Sequence, residues 1–232
     1  MTSSVDDGAE EMTWAERAAE RAPAVRQART RGVEQATNIV EAAQRLIAVN
    51  RTGFTMQQLL KEAGIALQTF YRYFPGKDQL LLAVIEYMVE QTCVELRVQA
   101  RDLPDAVARL RFYVTSVVAS LEATADDSNG PRFITTEHWR LFPLYPDEVT
   151  RATKPFADLI LSEIDEASAV GSLQPRSAST DAWFINQLVM SVYHHYAFAS
   201  AEEPLEAIAQ RLWMFVLVAL GGVDDRCRSD AQ

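Results

Sequence analysis

Apolar residues recur along this chain at helical spacing. Ala36, Ile39, Val40, Ala43, Leu46 and Ile47 follow the i, i+3, i+4, i+7 pattern that turns one helical face toward a core. That stretch ends before Gly53, a residue free to adopt positive φ after a helix. Thr55 and Gln58, three positions apart, can each satisfy the other's backbone N–H, so a capped helix is predicted from there to about Ala63. Gly64 interrupts it, and a second short helix ends at Phe74-Pro75-Gly76. Leu81, Val84, Ile85, Met88, Val89 and Leu96 then predict a helix from Lys77 to about Gln99, roughly 35 Å long. Beyond Pro104, helices are expected over 105–123, 132–141, 147–170, 180–200 and 204–221. The turn-rich stretches "ADDSNGP", "FPLYP" and "GSLQPRSAST" separate several of them. No strand alternation and no internal repeat accompanies the helical pattern. The expectation is an all-α fold of about nine helices. Residues 1–20, acidic and alanine-rich, read as mobile or loosely helical.

Composition supports this outline and narrows it. Of 232 residues, 48% are hydrophobic, enough to bury a sizeable core. Two cysteines, Cys93 and Cys227, can form neither a disulfide framework nor a cysteine-rich zinc site. They read as a buried thiol and a free tail thiol in a reduced compartment. The first thirty residues contain no apolar run of signal-peptide type, and the longest apolar run, Met214 to Leu220, is too short to cross a bilayer. A soluble, cytoplasmic protein with no membrane partner is expected.

Charge is unevenly distributed. Residues 21–80 hold Arg21, Arg26, Arg29, Arg31, Arg45, Arg51, Lys61, Arg72 and Lys77 against Glu34, Glu41, Glu62 and Asp78. The window therefore carries +5, leaving −15 on the remainder of a chain whose total is −10. A basic segment on an acidic body suits a nucleic-acid-binding head attached to a soluble partner domain.

The order of elements in that basic window is itself a motif. A helix, a capped short helix, a glycine turn and a second short helix make a helix-turn-helix, whose last member can enter the major groove. At about 100° per residue, Leu67, Phe70 and Phe74 fall on one inward stripe, and Gln68, Thr69 and Arg72 lie opposite. Tyr71 and Tyr73 flank them. Gln can pair with adenine, Arg with guanine, and the Thr methyl can pack on a thymine methyl. The two tyrosines, Lys77, and Thr55 and Gln57 at the start of the preceding helix are placed to reach phosphates.

The segment "IVEAAQRLIAVNRTGFTMQQLLKEAGIALQTFYRYFPGKDQLLLAVI" resembles the DNA-binding head of the TetR family of bacterial transcriptional repressors. The resemblance rests on Ala42-Ala43, Gly53-Phe54-Thr55, Ala63-Gly64-Ile65, Thr69-Phe70-Tyr71, Tyr73-Phe74 and Lys77, and covers about residues 36–85. It implies a three-helix head and a divergent all-α C-terminal domain that dimerises and binds a small effector. By position, Gln68 and Thr69 resemble the base-reading residues, and Thr55, Tyr71, Tyr73 and Lys77 the phosphate contacts. Ala66 stands where a Ser often caps the recognition helix, and Leu67 where many members carry a polar residue.

The division expected is a flexible arm over 1–32, a helix-turn-helix domain over 33–80, and an effector-binding and dimerisation domain over 81–232. The arm's Arg21, Arg26, Arg29 and Arg31 would either enter a minor groove or remain a solvated lead-in. In the last domain, Phe112, Tyr113, Phe133, His138, Trp139, Phe142 and Trp183 are candidates for an apolar pocket, or for ordinary core. "FITTEHWRLFPLYP" is the best pocket segment. Adjacent His194 and His195 project about 100° apart, and no Cys or carboxylate spacing completes a metal site. No nucleophile elbow or phosphate-cradling loop appears, so neither metal, cofactor nor catalysis is expected. The last two helices are apolar around much of their circumference, which suits a homodimer built on them or a purely internal position. The expected function is a ligand-responsive repressor that leaves its double-stranded operator on binding a small hydrophobic effector. The alternative is a constitutive or architectural DNA-binding protein with no effector.

Overall fold

A computed structural model of the protein describes residues 13–14, 21–50, 53–123 and 130–222. The expectations for residues 1–12 and 15–20, and for Cys227, lie outside the described residues. Within them the chain forms nine helices and no strand. The helices are α1 (Pro23–Val49), α2 (Met56–Ala63), α3 (Leu67–Tyr73), α4 (Lys77–Ala100) and α5 (Ala106–Ala123). They continue as α6 (Gly130–Leu141), α7 (Pro146–Ala169), α8 (Ala178–Tyr196) and α9 (Leu205–Ala219).

The first correction concerns the arm. Residues 23–32 are not a flexible lead-in; they are the first turns of α1, opened by Pro23 at a position that needs no N–H. Its buried residues begin only at Ile39, so the first turns stand in solvent with Arg26, Arg29 and Arg31 exposed. Apolar periodicity could not detect this part of the helix, because none of it packs against a core.

Two apolar clusters organise the molecule, and α4 belongs to both. Leu80, Leu81, Leu82, Val84 and Ile85 pack with Ile39, Ala43 and Ile47 of α1, Leu59 of α2, and Phe70 and Phe74 around α3. Farther along α4, Cys93, Leu96 and Ala100 join the core made by α5, α7, α8 and α9. The division expected after residue 80 thus falls inside one continuous helix. The α6–α7 corner also leans on the first cluster, through Leu141, Val149 and Ala152.

Polar contacts lock the head locally. Asn38 Nδ2 donates to the Ala63 carbonyl at 2.9 Å, so α1 closes the end of α2. Gly64, at φ 65°, supplies the left-handed residue that turns the chain toward α3. The capping box forms as expected: the Gln58 amide donates to Thr55 Oγ1 at 3.2 Å, and the Thr55 amide donates to Gln58 Oε1 at 2.8 Å. By contrast, α3 begins at Ala66 with no side-chain cap. In the body, Arg109 Nε donates to Glu163 Oε2 at 2.9 Å, and a second arginine nitrogen lies 2.7 Å from Glu166.

His138 on α6 and His194 on α8, distant in sequence, meet with ring centroids 5.0 Å apart. Burial, and then the neighbouring His138, push His194 down to about 4. Its Nε2 is buried without a hydrogen-bond partner.

Two measurements test these local energetics. Ala66 has cap geometry (φ −80°, ψ 155°) and is exposed. Ala66→Ser is therefore expected to raise stability by about 1 kcal/mol in urea unfolding, with an unchanged m value. His194 holds its folded pKa below the unfolded value of 6.5, so the unfolded chain takes up the proton first. The stabilisation from keeping it neutral is complete above pH 6.5 and is lost as pH falls toward about 4. His194→Phe should flatten the fall in melting temperature across that window, as followed by circular dichroism.

Candidate functional site

Helix α3 has too few residues to bury more than one edge, and its aromatics divide accordingly. Phe70 is fully buried in the head cluster, with Phe74 just after it; their rings lie 5.9 Å apart. Tyr71 stacks its edge on Phe70 at 5.3 Å yet leaves 55% of its own surface in solvent. Tyr73 is half-buried, and the Arg72 guanidinium lies over its ring at 5.4 Å. A cation over an aromatic face is held electrostatically, which presents Arg72 outward in a fixed posture. Gln68 and Arg72 are exposed, and Thr69 is half-buried.

Leu67 departs from the inward position that the helical wheel gave it. It is 46% exposed. As the first residue of α3 it has no preceding turn to pack beneath it, so angular position alone misplaces it.

Around this helix stand the other expected contacts. Gln57 is exposed on the first turn of α2. The Thr55 hydroxyl is engaged by Gln58, accepting from its amide and donating to its side-chain oxygen at 3.0 Å. Lys77 Nζ donates to the Phe54 carbonyl at 2.8 Å and lies over the Phe54 ring at 4.8 Å. It ties the start of α4 to the loop before α2. Next to it, Asp78 receives Arg140 Nη2 from α6 at 2.7 Å, and Arg140 is also held by Glu137. Sequence reading did not single out this link, since nothing in the spacing of residues 78 and 140 points to it.

The body contains a cavity of about 460 Å³. Met88, Val89 and Leu96 of α4, Ile134 of α6, Phe156 of α7 and Met190 of α8 form its apolar surface. Gln44 of α1, Gln91, Glu95 and Gln99 of α4, and Ser116 of α5 contribute polar groups, with Tyr193 of α8. Burial pushes the Tyr193 hydroxyl up to about 12 and the Cys93 thiol, also on the wall, up to about 11, so both are neutral at pH 7.

None of the seven aromatic and histidine candidates lines this cavity. Tyr113 is core, its hydroxyl donating to Glu163 at 3.4 Å, and Phe112 packs beside it. Phe133 faces a smaller crevice of about 310 Å³ next to Phe54 and Lys77. His138 lies against His194 and stacks on the partly exposed Phe142, while Trp139 and Trp183 are more than half exposed. The segment 133–146 does reach the cavity, through Ile134. The overlooked signal was on α4: residues 88, 92, 95 and 99 form one helical stripe that mixes Met and Thr with Glu and Gln.

Helices α8 and α9 expose an apolar surface. Trp183, Phe184, Phe215 and Val218 are each more than half exposed. Phe184 and Phe215 border one crevice of about 110 Å³. Among the described residues, no helix is long and apolar enough to cross a membrane.

Residues 39–84 match the family described as bacterial regulatory proteins, tetR family. A curated relative, the HTH-type transcriptional regulator EthR of Mycolicibacterium smegmatis, is 36% identical over 67 residues. That match covers 28% of this chain and 31% of the relative, so the chain spans about a third of its length. Solved structures of similar fold reach much farther. The transcriptional regulator FadR from Bacillus subtilis, in complex with stearoyl-CoA, superposes with a TM-score of 0.62 at 15% identity, over 81% of this chain and 99% of that one. Thermus thermophilus FadR, a TetR-family repressor in complex with lauroyl-CoA, gives 0.60 at 20% identity, over 80% and 94%. Residues 39–84 thus carry the sequence pattern of the tetR family of bacterial regulatory proteins, and the chain as a whole shares the fold of these solved regulators.

Proposed function

We propose that the protein is a dimeric repressor whose grip on operator DNA is released by a small molecule bound in the 460 Å³ cavity. The observation that carries this reading is the placement of α4: one half seats the recognition helix and the other half walls the cavity. An effector that reshapes the wall at Met88 to Gln99 acts on the same rigid element that aims α3. It shifts the equilibrium only to the extent that it binds one arrangement of the heads better than the other.

In this reading residues 33–80 are the DNA-binding head and residues 81–232 the effector and dimerisation domain. Gln68 and Arg72 read base edges from the exposed side of α3, with the Thr69 methyl at the border of the groove. Tyr71, Gln57 and the backbone at Thr55 hold phosphates. Tyr73 and Lys77 brace the site from beneath, through Arg72 and Phe54, and meet phosphates at its edge. The exposed arginines on the first turns of α1 add a sequence-independent attraction. Trp183, Phe184, Phe215 and Val218 meet their symmetry copies, an isologous contact that sets two recognition helices for successive major grooves about 34 Å apart.

Two variants check the division of roles. Using DNA selected from a random pool by the protein itself, Gln68→Ala is expected to lose roughly 1–3 kcal/mol of discrimination at one base position per half-site. Its salt dependence should stay as in the parent, because no phosphate contact is removed. Phe215→Asp should convert the dimer to a folded monomer in light scattering and weaken operator binding in gel shifts. If the unaltered protein selects no sequence and forms no salt-sensitive complex, the regulatory reading fails. A specific complex that no cavity ligand alters would favour a constitutive repressor.

A further inference from the structure

The wall of the cavity carries information about charge. Among the described residues, no lysine or arginine lines it. The one carboxylate that lines it among the described residues is Glu95, exposed on α4. The other polar side chains are uncharged: the amides of Gln44, Gln91 and Gln99, the hydroxyls of Thr92, Ser116, Ser120 and Tyr193, and the Cys93 thiol. The N-terminus of α6 borders the space at Gly130 and Pro131, but Pro131 has no N–H to offer an anion. The surrounding domain deepens the negative field: residues 81–232 hold 22 Asp and Glu against 12 Lys and Arg.

Bringing a carboxylate or phosphate into such a site costs its hydration and returns no ion pair. An apolar body, by contrast, finds Met88, Val89, Leu96, Ile134, Phe156 and Met190. Hydrogen-bonding groups along one side find the glutamines, Ser116 and the Tyr193 hydroxyl. A cationic nitrogen would find Glu95, with the faces of Phe156 and Tyr193 in the same wall. The volume, about 460 Å³, falls in the range of drug-sized ligand sites.

Resting on the reading of this cavity as the effector site, we propose that its ligand is an amphipathic molecule that brings no negative charge, with an apolar body, hydrogen-bonding groups along one side, and at most one cationic nitrogen placed beside Glu95. This sets the chain apart from the two FadR proteins, whose structures hold the polyanionic thioesters stearoyl-CoA and lauroyl-CoA.

Twelve-carbon probes that differ only in the head group isolate charge. Binding of dodecylamine, 1-dodecanol, laurate and lauroyl-CoA to the intact protein is measured by calorimetry, below the micelle concentration of each probe. Dodecylamine is expected to bind at least about tenfold tighter than laurate, as a sign reversal beside a carboxylate requires. Dodecanol should also outbind laurate, and lauroyl-CoA should bind no better than laurate. Glu95→Gln should narrow the gap between amine and laurate while leaving dodecanol unchanged, and Glu95→Lys should reverse the order. Laurate or lauroyl-CoA binding as tightly as dodecylamine, an order indifferent to Glu95, or no binding by any probe would each overturn the proposal. Probes that bind in the expected order without loosening the DNA complex refute the regulatory role alone and leave the charge preference standing.

Discussion

One helix, α4, is anchored in two cores at once, and the rest of the structure is arranged about that constraint. Leu80 to Ile85 are shut into the head cluster, and Cys93, Leu96 and Ala100 into the body. A hydrogen-bonded helix does not bend cheaply over this distance, so its two ends cannot reorient independently. The head is small, and α3 has few residues. It keeps its shape because α4 supplies a large part of the apolar surface against which α1, α2 and Phe70 close. The same dependence makes the head sensitive to anything that tilts α4 from the other end.

A second connection runs beside the first. Helix α6 touches the cavity through Ile134 at one end and holds Asp78 through Arg140 at the other. Asp78 adjoins Lys77, which is bonded to Phe54 in the loop before α2. The ion pair between Arg140 and Asp78 is partly exposed, so its energy is modest. Its value is geometric: it joins the first turn of α4 to α6, which also borders the cavity.

Within α3 the surplus of rings resolves into separate mechanical roles. Phe70 and Phe74 are the attachment, Tyr73 is the platform for Arg72, and Tyr71 stands outward on Phe70. A short helix without a side-chain cap keeps its place through these contacts and through the Gly64 turn, rather than by intrinsic helix stability. Polar residues held on so well-anchored an element can be presented to a rigid partner such as a duplex at little entropic cost.

Helix type, helix order and the head were legible in the sequence, because each is written in local signals: apolar periodicity, a capping box, a glycine after a helix, and proline breaks. Even the bare N-cap at Ala66 could be read directly. Periodicity failed where burial was absent, at residues 23–32, and the helical wheel failed at Leu67, where a helix end has no turn beneath it. The cavity was barely legible: the expected segment 133–146 touches it only through Ile134. The aromatic residues singled out as pocket candidates lie away from its wall, whereas the space itself lies where α1, α4, α5, α6, α7 and α8 fail to close on one another. Whether a side chain faces a void, a neighbouring helix or solvent depends on how elements far apart in the chain come together. The sequence alone therefore determined the parts and the chemistry of the recognition helix. Only packing between distant segments decided where the cavity lies, which groups line it, and that one continuous helix joins it to the head.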